Sequence, residues 1–353
     1  MKKTLTLALD GMGGVSGPET VLEAANLAIE RYPHVQFIVF GDQDELRAQL
    51  EKWPKLKDHC EIHHTAISVP DDMKPSVALR TARQSSMHLA VEAVKARKAD
   101  GVVSAGNTGA YMAFSKIFLK TIPGINRPAI STHVPTLKNE IVLLDLGANL
   151  ECDAENLVQF ALMGATYATH VMGIKKPRIG LLNVGEEELK GPPSLQEAAS
   201  ILKSAHSLVN FHGFVEGDDI AKGTVDVIVT DGFTGNVALK TLEGTARLVR
   251  SYIRGAFESS FFAKIGCFFA TPALKAVRER TNPSKYNGAI FIGLNGVAVK
   301  SHGSADAQGF SNAISVAIDM VSHGFNSHIE KDLKTLDALR AQIETPAQKV
   351  QAI

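Results

Sequence analysis

A repeated change of hydrophobic period limits this chain to a small set of folds. Five times a short apolar run ends in Gly with Asp or Asn and gives way to an amphipathic stretch. The runs are Leu5 to Leu9 before Asp10-Gly11, Gly101 to Ser104 before Gly106-Asn107, and Ile141 to Leu144 before Asp145-Leu146-Gly147. Two more are Ile179 to Val184 before Gly185, and Val225 to Thr230 before Asp231-Gly232. A strand that hands over to a helix in this way is the βα unit. Runs such as Ile141-Val142-Leu143-Leu144 lack polar alternation, as parallel strands covered on both faces do. Pro18 suits a helix start, and Ser194 with Glu197 has the spacing of a capping box. Asn295-Gly296, between Ala289 to Leu294 and Val297 to Lys300, predicts a type I′ hairpin and an antiparallel pair. The expected fold is α/β, a three-layer α/β/α architecture around a mixed, mostly parallel sheet.

Composition permits a large core. The 353 residues are 45% hydrophobic and 21% charged, without the bias of a disordered chain. Lys and Arg number 37 and Asp and Glu 37, so no whole-chain basic field speaks for nucleic acid. Cys60, Cys152 and Cys267 are odd in number and far apart, which argues against a disulfide framework or a zinc site and for the reducing cytosol. Met1-Lys2-Lys3 and the apolar run after it imitate a signal peptide, but Asp10 cuts that run short. No window reaches the roughly 18 apolar residues of a spanning helix, so membrane contact would be peripheral. No low-complexity linker or fixed repeat divides the chain. Residues 1–345 are expected to form one domain, with 346–353 a loose tail.

In open α/β sheets ligands bind beyond the carboxyl ends of the strands, and the unusual residues of this chain fall there. Ser104-Ala105-Gly106-Asn107-Thr108-Gly109 and Asp231-Gly232-Phe233-Thr234-Gly235-Asn236 are Gly- and Asn-rich strand-to-helix turns. Glycine lets backbone N–H groups approach an anion there, and the helix dipole favours negative charge, so both turns are candidates for phosphate. The alternative is that Asn107 and Asn236 only cap their helices. Gly185-Glu186-Glu187-Glu188-Leu189-Lys190-Gly191 is a third candidate, to be weighed against a solvated charged turn. Lys300-Ser301-His302-Gly303-Ser304-Ala305-Asp306 has the residue types of a Ser/His/Asp set, but neighbours in one loop seldom converge as a triad and no G-x-S-x-G elbow exists. Gly11-Met12-Gly13-Gly14-Val15-Ser16-Gly17 places Ser16 where a dinucleotide motif needs its third glycine, and no P-loop occurs. Asp218-Asp219 and the Glu triplet lack His or Cys at ligand spacing, and His63-His64 stands alone, so no metal and no cofactor are expected.

Arg254 to Lys285 differs from the rest of the chain. It carries six Lys or Arg and five of the 16 Phe. Phe257, Phe261, Ile265 and Phe268 recur at helical spacing, Phe262 and Phe269 add a second apolar line, and Lys264, Lys275 and Arg278 lie nearby. The competing readings are a core or dimer helix and a projecting element that touches a membrane or a protein partner.

These motifs, together and in order, resemble the PlsX family, the phosphate acyltransferases of bacterial phospholipid synthesis. The resemblance rests on Asp10-Gly11-Met12-Gly13-Gly14, Ser104 to Ala110, Asp145-Leu146-Gly147-Ala148-Asn149, Gly180 to Gly191, Asp231 to Asn236 and Lys300 to Ala305, and runs from the first strand to beyond Ala313. It implies transfer of a fatty acyl group from acyl carrier protein to inorganic phosphate. The acyl phosphate product would then be consumed by a membrane glycerol-3-phosphate acyltransferase. It further implies a homodimer at the cytoplasmic face of the membrane and a fold similar to the isocitrate and isopropylmalate dehydrogenases. One position departs: the family usually has Asp after Gly-Gly, and this chain has Val15.

If phosphate is the nucleophile, no activated Ser or Cys is required, and the site must supply position and charge. On that reading Lys190, Asn236 and His302 are the catalytic candidates. Gly106, Asn107, Thr108, Asp231 and Gly235 would bind phosphate or substrate. Phe261, Phe262, Lys264, Phe268, Lys275 and Arg278 would meet carrier protein or membrane. The alternatives are a phosphotransacetylase on short acyl-CoA, a dehydrogenase on a related fold, and a catalytically inert membrane-associated scaffold.

Overall fold

The computed structural model describes residues 4–15, 17–280 and 282–350. In chain order its elements are β1 (Leu5–Asp10), α1 (Gly17–Arg31), β2 (Val35–Gly41), α2 (Gln43–Leu50), β3 (Cys60–His64), α3 (Pro75–Thr81), α4 (Ser86–Lys95), β4 (Gly101–Ser104), α5 (Thr108–Leu119), β5 (Ala129–Pro135) and β6 (Glu140–Leu144). They continue with α6 (Ala154–His170), β7 (Arg178–Leu182), α7 (Pro193–Ser204), β8 (Asn210–Val215), α8 (Asp219–Lys222), β9 (Val227–Val229), α9 (Gly232–Glu258), α10 (Phe261–Arg280), β10 (Ala289–Ile292), β11 (Val297–Lys300), α11 (Ala307–Ser322) and α12 (Phe325–Val350). The tail expected at 346–353 falls in the last turns of α12 as far as Val350 and, beyond it, outside the described residues.

The eleven strands form one sheet in the order β3-β2-β1-β4-β11-β10-β5-β6-β9-β7-β8. Seven of its pairings are parallel. The three antiparallel ones, β11 with β10, β10 with β5 and β5 with β6, stand together in the middle. Three reversals in a row turn the second lobe over. The strands β1 to β4 and β11 run one way, and β6 to β9 run the other. Thus β1, β4 and β11 end at one rim of the sheet, whereas β6, β9 and β7 end at the opposite rim.

Helices cover both faces. On one, α1, α6, α7, α11 and α12 bury residues such as Leu22, Phe160, Leu202, Phe310 and Phe325 against the sheet. On the other, α4 and α5 pack Met87, Tyr111 and Phe114 over β1, β4 and β10, while Leu239 and Leu242 of α9 pack on the second lobe. Burying side chains of this size gains about 1.5 to 3 kcal/mol each before entropy is charged, so the two core layers fix the sheet rigidly.

Local details depart from the sequence in two places. Pro192 and Pro193 start α7 early, so Ser194 already lies inside the first turn and the expected capping box with Glu197 does not form. The β10–β11 connection is a four-residue loop, 293–296, not a two-residue type I′ turn. Gly293 takes the positive φ of +90°. Leu294 bridges to Thr121, and the Asn295 N–H donates to the Lys120 carbonyl at 2.9 Å, so tertiary contacts open the turn.

Candidate active site

At the first rim three turns meet. Asp10, the last residue of β1, is 1% exposed, and its two carboxylate oxygens accept from the Ser86 and Ser104 hydroxyls, each at 2.6 Å. Burial pushes its carboxyl above the ordinary value, and the two serine hydrogen bonds pull the other way. Gly13 and Gly106 close over it. A Cβ on Gly13 would stand 2.6 Å from Asp10 Oδ2 and 2.7 Å from the Gly106 nitrogen, so only glycine fits. The Val15 N–H donates to the Gly303 carbonyl at 2.8 Å, tying the turn after β1 to the turn after β11. Asn107 caps α5 by accepting from the Ala110 N–H at 3.0 Å, and its amide donates to the carbonyls of Pro70, Asp71 and Met73. Both groups of its side chain are thus engaged within the protein, while Thr108 and Gly109 leave the first turn of α5 open to solvent.

Lys300 ends β11 at the same rim. Only 7% exposed, its ammonium donates to the Ala105 carbonyl at 3.1 Å and to the Ser301 carbonyl. Burial lowers its pKa to about 8, opposed by the fields of Asp10 and Asp71. Two residues on, the Ser304 N–H donates to His302 Nδ1 at 3.2 Å, and the Ser304 hydroxyl lies 2.9 Å from the same nitrogen. Nδ1 therefore acts as acceptor, and the imidazole proton sits on Nε2. Packing beside the ring, and then the Lys300 charge, hold His302 below the ordinary imidazole value. The side chains of Lys240, Glu243 and Arg247 on α9 also act on this ring, so α9 passes close to the first rim.

The second rim is built around Asp145, fully buried after β6. It accepts from the N–H groups of Ile130, Gly147, Ala148 and Asn149 and from the Asn149 amide. Burial raises its pKa and these donors counter the rise. The first turn of α9 is pressed onto this loop. A Cβ on Gly232 would stand 2.6 Å from the Asn149 carbonyl oxygen. Asp231 is the true N-cap of α9, accepting from the Thr234 N–H at 2.8 Å. Asn236 lies a turn into the helix and donates to the Leu146 carbonyl at 3.0 Å, so the alternative that Asn236 only caps the helix does not hold. A recess of about 500 Å³ opens beside this turn, lined by Leu150, Glu151, Cys152, Asp231, Phe233 and Thr234.

The loop after β7 also belongs to the second rim. Lys190 is exposed and paired with Glu187 at 2.8 Å, a contact that raises its pKa. The Asn183 amide donates to the Lys190 carbonyl at 3.0 Å, and its own oxygen accepts from the Val184 N–H. These bonds bend the chain out of β7 at Leu182, two residues before the apolar run ends.

The expected site residues therefore form two groups. Gly106, Asn107, Thr108 and His302 share the first rim; Lys190, Asp231, Gly235 and Asn236 share the second. The antiparallel strands β10 and β5 turn the second lobe over, so the two groups follow strand ends of opposite direction. Sequence reasoning passed over Ser86, Lys300 and the two buried carboxylates Asp10 and Asp145 as site residues. The signal for the carboxylates was present, since each is the first residue of a Gly-rich turn directly after an apolar run.

The thiols of Cys60 and Cys152 are pushed up to about 12 by burial, and all three cysteines are free. Among the described residues no cluster of His, Cys, Asp or Glu gathers as a metal site, and no helix is long and apolar enough to cross a membrane.

Away from both rims, α9 and α10 form a helical hairpin. Within α9 only Gly232 and Gly235 are buried, and the extensive contacts of α10 are with α9. A break at Ser259 and Ser260 puts Phe257 on α9 and the other Phe residues on α10, so the run from Phe257 to Phe268 is not one helical stripe. Phe261, Phe262, Phe268 and Phe269 are 73 to 81% exposed, which excludes the core-helix reading within one chain. Lys264 and Lys275 are exposed as well, and the side chain of Arg278 lies outside the described residues.

Comparison with known proteins places this architecture. Residues 5–328 match the family described as "Fatty acid synthesis protein". The "Phosphate acyltransferase" of Paramagnetospirillum magneticum is 51% identical over 348 residues, covering 99% of this chain and 98% of that protein. That of Rhodospirillum centenum is 55% identical over 338 residues, covering 96% and 95%. Among solved structures, a phosphotransacetylase from Streptococcus pyogenes shares the fold with a TM-score of 0.62 at 16% identity, over 91% of this chain and 95% of that one. A 4-hydroxythreonine-4-phosphate dehydrogenase from Salmonella typhimurium does so with a TM-score of 0.54 at 13% identity, over 90% and 100%. The expected likeness to a dehydrogenase fold is thus met through this enzyme. With family and relatives matched along nearly its whole length, the chain belongs to the PlsX family of phosphate acyltransferases and is an acyltransferase.

Proposed function

We propose that this protein moves a long-chain fatty acyl group from acyl carrier protein to inorganic phosphate, making an acyl phosphate for phosphatidic acid synthesis. A phosphate oxygen attacks the thioester carbonyl carbon, the carbonyl oxygen takes up negative charge, and the carbon–sulfur bond then breaks to release the carrier thiol. The observation that carries the reading is the donor-rich first rim, where the start of α5, Lys300 and His302 gather. Ser86 and Ser104 are committed to Asp10, and burial holds the Cys60 and Cys152 thiols protonated. Acyl transfer to phosphate, the activity of the family, makes phosphate itself the nucleophile and asks the rim for position and charge.

The open first turn of α5, at Thr108 and Gly109 after the cap Asn107, supplies N–H groups and the positive end of a helix dipole, while the buried Gly106, whose N–H donates to Ser104 Oγ, shapes the turn before it. His302 adds a neutral Nε2–H donor for phosphate or for the developing oxyanion. Lys190 and Asn236 are kept as charge-stabilising candidates, and Asp231 and Gly235 as substrate-binding ones, although packing and capping already account for the last two. The geometry favours the first rim over the second. The α9–α10 hairpin suits an acidic carrier or an anionic bilayer, since exposed Phe rings and Lys264 and Lys275 share it. We therefore assign this protein to the cytoplasm and the inner membrane surface, as a homodimer that passes its product to a membrane glycerol-3-phosphate acyltransferase. It needs no cofactor or metal and binds no nucleic acid.

The test is release of free carrier protein from long-chain acyl carrier protein with and without inorganic phosphate. Phosphate-dependent release supports the proposal. Turnover confined to short acyl-CoA makes the protein a phosphotransacetylase, and turnover of neither donor makes it an inert scaffold.

A further inference from the structure

We propose that the Lys300 ammonium is the cation that holds inorganic phosphate at the first rim, between the turn Ala105–Thr108 and His302. This rests on the acyl-to-phosphate reading and adds a binding residue to it. An ammonium has three donors. Two of them meet the Ala105 and Ser301 carbonyls, and among the described residues no carboxylate oxygen lies within 4.0 Å of Nζ. A buried cation with carbonyl partners alone is a poor structural choice, because leaving its charge unpaired costs more than those bonds return. Asp10 acts on the ammonium only through its field, with no direct contact between them, and its oxygens hold the Ser86 and Ser104 hydroxyls.

The surroundings fit an anion. Ala105 lies two residues before the N-cap of α5, so the ammonium sits at the base of a helix start. The first N–H groups of a helix have no intrahelical acceptor, and the dipole there attracts negative charge. Two residues beyond Lys300, His302 carries its proton on Nε2, fixed in that tautomer by Ser304, and the Lys300 charge acts on its ring. The charged groups acting on Lys300 are Asp10 from β1 and Asp71 from the segment before α3, while Lys240, Glu243 and Arg247 of α9 act on His302.

Phosphate affinity of the full-length protein can be read by thermal shift and calorimetry without any acyl donor. Lys300→Met should weaken phosphate binding by about 10- to 150-fold, the worth of a hydrogen bond to a charged group. Lys98→Met, at an exposed lysine before β4 and so at the far end of that strand from the first rim, should leave it within about threefold. A folded Lys300→Met protein that binds phosphate like the wild type overturns the proposal. The unmutated protein offers a second test. Sulfate, whose charge is constant over the range, should bind more weakly as pH rises through about 8, where Lys300 loses its proton. A flat profile overturns the proposal too. Coenzyme A, which carries phosphate esters, serves as the competitor. Binding of coenzyme A with none of inorganic phosphate assigns the cation to a donor's phosphate and overturns the proposal as stated. Loss of phosphate binding in Lys300→Met without turnover of acyl carrier protein would refute the donor assignment alone. Turnover with an unchanged KM for phosphate would refute the Lys300 assignment alone.

Discussion

Gly235 lies so close to Asp145 that a Cβ on the glycine would stand 1.9 Å from the Asp145 carbonyl oxygen. The contact seats the first turn of α9 on the loop after β6, where the Gly232 N–H donates to the Asn149 carbonyl at 2.7 Å and the Asn236 amide donates to the Leu146 carbonyl at 3.0 Å. Gly235→Ala should destabilise the protein by about 3 kcal/mol or more, at the upper end of overpacking costs. Urea unfolding measures this, and a loss under about 1 kcal/mol would show that α9 can shift.

Asp231 and Asn236 separate capping from catalysis. Asp231→Ala removes the cap on Thr234 and should cost about 1 kcal/mol of stability. Asn236→Ala removes one hydrogen bond to Leu146, also worth about 1 kcal/mol. If Asn236 also stabilises charge in the transition state, its variant loses about 100-fold in kcat, as oxyanion donors do. A stability loss with normal kcat leaves Asn236 a structural residue.

Lys190 is exposed and its ion pair with Glu187 adds little to stability. Lys190→Ala should therefore melt like the wild type. A fall in turnover of about 100-fold or more would assign it to the reaction, and near-normal turnover would make the segment a solvated charged turn.

The burial of Lys300 sets a pH dependence with a definite sign. Its folded value of about 8 lies below the ordinary 10.5, so between these limits the unfolded chain binds more protons and stability rises with pH. The penalty is fully present below about pH 8. Its release by about pH 10.5 amounts to roughly 3 kcal/mol. Lys300→Met should lack this rise, and denaturation of both proteins at several pH values reads the difference. Parallel curves would mean that the ammonium is solvated in the folded protein.

The α9–α10 hairpin is tested by charge. Lys264→Glu with Lys275→Glu should reduce sedimentation with anionic vesicles or raise the KM for acyl carrier protein, leaving melting and dimer mass unchanged. Each cation near such a surface contributes about 1 kcal/mol, so the double variant should lose at least tenfold in vesicle affinity. Dissociation of a dimer, with no change in either binding or kinetics, would make the hairpin an interface between copies.

The sequence alone determined seven of the eleven strands, the glycine turns and the mixed α/β class, because these depend on local period and on residues adjacent in the chain, whereas β2, β3, β5 and β8 lay outside the runs it marked. β4 and β11 coincide with their apolar runs, and β1 extends its run only by Asp10. It also marked the Phe-rich segment as unusual, since a local excess of Phe, Lys and Arg is visible in composition, while the exposure of those rings came only with the structure. What it could not show was how Lys190 and His302 come to lie at opposite rims. That follows from β10 and β5 crossing the middle of the sheet antiparallel to their neighbours, a pairing between segments about 160 residues apart. The burial of Lys300 is likewise a tertiary result. In the sequence it is one lysine at the end of a strand. In the folded protein the turns after β1, β4 and β11 close around it, and long-range packing removes the water that would otherwise hold its charge.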